Sequence, residues 1–91
     1  MKSFRDLRID YLRARRAKAI KHRDGFEYTA ELEIRLAHQH DICSAEKREH
    51  IDNADQCFAI AKSCQSDVEK YEARLLKLGV DVEEEELNKQ L

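Results

Sequence analysis

Proline and tryptophan are absent from these 91 residues, and glycine occurs only twice. Proline removes a backbone donor and clashes with the preceding turn, while glycine loses the most freedom on ordering, so these two residues most reliably stop a helix. Gly25 and Gly79 leave the 53 residues between them free of both. A chain so poor in breakers is expected to be all-α. Two glycines also cannot build a glycine-rich phosphate loop.

Long apolar runs are missing too. No stretch approaches the ~18–20 apolar residues of a membrane span. The first residues, MKSFRDLRIDYL, lack the apolar centre of a secretory signal, and Asp6 and Asp10 speak against a mitochondrial presequence. Three cysteines, an odd number, fit a reducing compartment, so the expected location is the cytoplasm. Nucleophile elbows, paired-carboxylate clefts and opposed Cys/His pairs are likewise absent. The expectation is a protein that is not an enzyme, with no cofactor, no resident metal and no small-molecule substrate.

What remains is charge. Charged residues make up 40% of the chain and aromatics 7%, so apolar area is scarce and much of it is alanine. A single domain of this size and composition is marginal as a lone monomer, and a homodimer or a protein partner is the expected remedy. The net charge of −2 hides a strong polarity. Residues 1–25 carry nine Lys/Arg against three acids (+6), residues 26–78 seven against eleven (−4), and residues 79–91 one against five (−4).

Helix starts are signalled three times by one device: a short acceptor followed three residues later by an acid. The pairs are Ser3 with Asp6, Asp24 with Glu27, and Asp81 with Glu84. The first side chain caps an orphan amide, and the second suits the positive end of the helix dipole. Together with the two glycines as stops, this predicts helices over 4–22, 26–78 and 82–91, the last within an acidic tail at 79–91. The expected architecture is a helical hairpin or coiled coil with one short basic helix and one long helix. Phe26, Tyr28, Ala30, Leu32, Ile34 and Leu36 alternate like a half-buried strand, yet the intervening residues are good helix formers. On a helix they form two stripes, Tyr28–Leu32–Leu36 and Phe26–Ala30–Ile34–Ala37, as a helix with neighbours on two sides would show. The alternative is a three-helix bundle with a break near 52–53, where Asn53 or Asp52 would recap a new helix.

Across that point a seven-residue spacing keeps phase: Leu36, Cys43, His50, Cys57, Cys64, Tyr71 and Leu78, accompanied by Ala54, Ala61, Val68, Leu75 and Val82. The pattern is a heptad seam from Ala54 onward. Its candidate interface residues are Ala54, Cys57, Ala61, Cys64, Val68, Tyr71, Leu75 and Leu78. A first helix of about 19 residues cannot shield 53, so part of this seam is expected to meet a second copy or a protein partner. Cys57 and Cys64 stand two turns apart, ~10 Å, beyond disulfide reach within one helix, and read as small apolar residues. His38, His40, Cys43 and His50 are the one candidate metal cluster. A straight helix cannot close a tetrahedral site from them, and they read as polar positions in the seam.

The basic helix offers a rival function. Phe4, Leu7, Tyr11 and Ala14 form a stripe expected to dock on the long helix. Arg5, Arg16 and Arg23 then fall on another side, with Arg8 and Arg15 nearby. Arg13, Arg15, Arg16, Lys18, Lys21 and Arg23 would form a phosphate-binding surface. The same cations can instead face carboxylates, either on the long helix or among Glu83 to Glu86 of the tail. The leading expectation is a protein–protein assembly module, and the alternative is a small nucleic-acid-binding regulator.

Overall fold

The computed structural model describes residues 1–90. Its elements are three helices, α1 (Phe4–Ala37), α2 (Ser44–Lys77) and α3 (Val82–Gln90), with no strand among the described residues. α1 and α2 each have 34 residues and lie side by side as a hairpin, with α3 folded against its open end. The molecule measures 61 × 28 × 20 Å, and its radius of gyration is 18.3 Å. A compact domain of this length would have ~12 Å. So elongated a shape buries little, and every buried residue counts for more.

The helix ends show how local chemistry sets the boundaries. Ser3 is the N-cap of α1, its Oγ accepting from the Asp6 amide at 3.2 Å. Asp81 caps α3 in the same way, its Oδ1 accepting from the Glu84 amide at 3.2 Å. Both starts match the sequence expectation. α2 stops as expected at Gly79, whose φ of +85° is open to glycine at little cost. There Val80 N–H donates to Leu75 O at 3.0 Å and Gly79 N–H to Leu76 O at 3.0 Å, the paired bonds of a Schellman motif. Val80 also packs on the cluster containing Leu75, the apolar contact that accompanies this motif.

The position of the hairpin turn corrects the sequence reading. The chain does not turn at Gly25, and no helix spans 26–78. α1 continues through Gly25 to Ala37, and the turn occupies residues 38–43. One glycine in a helix costs only about 1 kcal/mol relative to alanine, less than packing of the following turns returns. Asp24 does not cap a helix; it accepts from the neighbouring Arg23 guanidinium at 3.0 Å. The real turn uses neither glycine nor proline. His38 caps α1, its amide donating to the Arg35 carbonyl at 3.2 Å while the Gln39 amide donates to the Leu36 carbonyl at 3.3 Å, and its Nδ1 meets Ile34 O at 2.8 Å. Asp41 adopts φ +63°, a left-handed conformation that aspartate tolerates better than most side chains. The alternative break near 52–53 does not occur either, since α2 runs straight through it.

The packing is graded along the hairpin. At the open end Ile9, Leu12, Leu75 and Val82 form a buried cluster, with Tyr71, Leu78 and Val80 packed on it. Toward the turn the buried residues are Ala30, Ala37, Ala54 and Ala61, with Val68 between the two zones. A buried leucine contributes ~2–3 kcal/mol, and alanine far less, so the strength lies at the open end. Alanines let the helix axes approach closely where bulky side chains are lacking.

Candidate interaction surfaces

The predicted seam is already occupied by the chain itself. Ala54, Ala61, Val68 and Leu75 are buried, and Cys57, Cys64, Tyr71 and Leu78 are half-buried, within a single copy. α1 is as long as α2 and not the short helix expected, so it shields the stripe along its length and no part of it needs a second molecule. Cys43 leaves the seam altogether, being exposed as the N-cap of α2 without a side-chain cap bond.

α1 docks by a different stripe from the one expected. Ile9 and Leu12 point inward, whereas Phe4 is 93% exposed, Leu7 53% and Tyr11 60%. The inward stripe continues through half-buried Arg16, Ala19 and Arg23 to Ala30 and Ala37. Ile9, Arg16, Arg23, Ala30 and Ala37 repeat every seven residues, as Ala54, Ala61, Val68 and Leu75 do on α2. Two apolar stripes run along α1, and the one ending in alanines matches the small residues opposite it. Arg16 and Arg23 therefore lie at the packing face, with their aliphatic stems against it and their charged heads at its rim.

The basic surface is largely engaged within the chain. Arg13 pairs with Glu85, and Arg16 pairs with Glu86 at 2.7 Å and Glu72 at 3.6 Å. Arg23 bonds Gln65 at 2.6 Å and Asp24 at 2.8 Å. Arg15 donates to the Tyr71 hydroxyl at 3.3 Å, with its guanidinium 5.9 Å from the ring centroid. Hydrogen bonding to Tyr71 raises the Arg15 pKa, and hydrogen bonding to Asp10 raises that of Lys2. Arg5 donates to the Leu78 carbonyl, fastening the start of α1 to the end of α2. Lys18 and Lys21 have no ion-pair partner among the described residues. The acidic tail thus braces the basic helix, one of the two arrangements its charge allowed.

The candidate metal residues are dispersed. His38 and His40 belong to the turn, and His50 pairs through Nδ1 with Glu33 Oε2 at 2.5 Å. Among the described residues no group of three or more His, Cys, Asp or Glu side chains converges on a point. The three thiols are free. The concavities are open grooves, such as that between Arg13, Ala17, Leu75 and Val82. No described helix is long and apolar enough to cross a membrane.

The feature that sequence reasoning missed is the outward face of α1. Phe4, Leu7, Tyr11, Tyr28, Leu32 and Leu36 are all exposed, and helical spacing places them on the side away from α2. The Tyr28–Leu32–Leu36 stripe was visible in the sequence, but which stripe docked was not. No protein-family model, curated protein or solved structure matches the chain.

Proposed function

We propose that this chain is a non-enzymatic helical interaction module, working in the cytoplasm, whose hairpin self-associates and docks a partner protein. One observation carries the reading. Six large apolar side chains stand exposed along one face of α1 while the chain's own seam is satisfied internally. They form two apolar clusters, Phe4–Leu7–Tyr11 and Tyr28–Leu32–Leu36, with Lys18 and Lys21 between them, and exposed apolar clusters of this kind mark protein contacts. The docking surface therefore moves from the seam at 54–78 to the outer side of α1. The hairpin, packed with seven-residue spacing in the manner of an antiparallel coiled coil, serves as the rigid support.

The nucleic-acid reading loses its main support, because Arg13, Arg15, Arg16 and Arg23 already hold protein groups. The test compares the protein with a Tyr28→Glu/Leu32→Glu variant, both as bait in matched pull-downs and in solution mass measurements. Loss of self-association or of captured proteins in the variant is expected. Identical masses and identical captured sets would sink the proposal.

A further inference from the structure

The nine buried residues among those described fall on only two seven-residue series. Ile9, Ala30 and Ala37 form one, and Leu12, Ala54, Ala61, Val68, Leu75 and Val82 form the other, three residues on. Leu12 and Ala54 belong to opposite arms of the hairpin, yet a whole number of heptads separates them. The half-buried series Cys57, Cys64 and Tyr71 likewise runs back in phase to Arg15 and His22. A reversing turn can have any length, so a hairpin does not need to conserve this phase. An uninterrupted helix does, because one seam then runs along its whole length. The packing stripes of α1 and α2 are two halves of such a seam.

The turn between the halves is weakly made. Residues 38–43 contain neither glycine nor proline, so nothing in them forbids a helix. Asp41 is held at φ +63°, a conformation that a residue with a Cβ enters at a cost, and Cys43 gives α2 no side-chain cap. Straightening the turn relieves the first and removes the need for the second. We infer that the hairpin is one of two forms of this chain. In the other, residues 4–77 are a single helix and two copies lie antiparallel, α1 of each packed on α2 of the other. The seam contacts of the hairpin's open half are then made between copies instead of within one, which is why exchange of an identical element costs little. This pairing uses the inner seam and leaves the outer face of α1 uncovered in both forms.

The register follows from contacts already present. Arg15 meets Tyr71, Arg16 meets Glu72 and Arg23 meets Gln65, pairs centred on residues 43 and 44. His22 and Cys64 share one groove with Arg15 and Tyr71 and are centred on residue 43 as well. Carrying the Arg15–Tyr71 pair inward by four heptads on each arm brings both positions to Cys43. The two-fold axis of the exchanged dimer therefore passes beside Cys43, which is exposed in the hairpin and faces its own copy in the dimer. Glu33 with His50, next to the turn, is centred nearer residue 42, and opening the turn resets that pair. The symmetry is that of an isologous dimer, which closes on itself and does not propagate.

The test refolds the reduced full chain from urea at roughly 1–200 μM, a range that brackets micromolar affinities, and follows it by sedimentation equilibrium. Circular dichroism checks that every variant stays helical. A species of twice the 10.7 kDa chain mass is expected to grow with concentration. Asp41→Gly eases the turn and weakens the continuous helix, and is expected to lower the association constant at least about tenfold. Asp41→Ala does the reverse and is expected to raise it by a similar factor. A short bismaleimide added to the isolated, diluted dimer is expected to join Cys43 to Cys43, as peptide mapping by mass spectrometry reads. A monomeric parent, a dimer that neither Asp41 variant moves, or a dimer whose Cys43 thiols do not link would each overturn the inference. A dimer dissolved by Tyr28→Glu/Leu32→Glu but indifferent to Asp41 pairs through the outer face of α1, which overturns the exchange alone and leaves the interaction surface standing.

Discussion

Arg16 of α1 and Glu86 of α3 lie 2.7 Å apart, and the same guanidinium nitrogen is 3.6 Å from Glu72 of α2. One half-buried side chain thereby joins all three helices. Glu86 is more than half exposed, so its share is small, and the stem of Arg16 contributes mainly through packing. Arg16→Ala is expected to cost about 1–2 kcal/mol. In a double-mutant cycle with Glu86→Ala, the coupling is expected to stay below about 1 kcal/mol. Urea denaturation of the four proteins measures both quantities.

Leu75 is fully buried at the centre of the open-end cluster, whereas its neighbour Leu76 is 61% exposed. Leu75→Ala is expected to destabilise the fold by about 2–5 kcal/mol, and Leu76→Ala by under ~0.5 kcal/mol. Comparable losses at both positions would show that the core lies elsewhere.

The two glycines have opposite roles. Gly25 is helical with open space where a Cβ would go, so Gly25→Ala is expected to stabilise by about 0.5–1 kcal/mol. Gly79 has φ +85°, and Arg5 Nη2 lies 3.3 Å from where its Cβ would stand. Gly79→Ala is expected to destabilise by about 1–2 kcal/mol. Thermal melts at low protein concentration should move in opposite directions.

Duplex DNA is expected to bind no tighter than ~10⁻⁴ M at physiological salt, the weak end of non-specific association. Glu85→Ala/Glu86→Ala releases Arg13 and Arg16 from the tail and is expected to tighten that binding. Fluorescence anisotropy across a salt series decides it. Tight, salt-sensitive binding by the unaltered protein would restore the regulator reading.

Much of this architecture was legible where the signal was local. The caps at Ser3 and Asp81 and the stop at Gly79 each depend on residues within one or two turns, and all three are present. The turn at 38–43 was not legible. Its left-handed residue is Asp41 rather than glycine, and α2 begins at Cys43 with no side-chain cap. Gly25 with Asp24 made the better stop on paper and was overridden by packing that only the folded hairpin supplies. Misplacing the turn also misassigned the stripes. The Phe4–Leu7–Tyr11 face and the Ile9–Leu12 face are similarly apolar, and the choice between them depends on what α2 presents. The apolar stripe of α2 was legible in the sequence, but the element that packs on it, α1 of the same chain, was not.

The grading of the seam has a consequence for how the chain is made. Closing the turn at 38–43 brings together mainly alanines and the Glu33–His50 pair, which give a nascent hairpin little apolar area to hold it. The contacts that fasten it join Ile9 and Leu12 to Leu75 and Val82, at opposite ends of the sequence. During synthesis the early helix must therefore wait, unpaired and with both stripes exposed, until Leu75 and Val82 have left the ribosome. Folding becomes a late, nearly all-or-none event, and the finished α1 is the segment that a chaperone or a neighbouring nascent copy meets first.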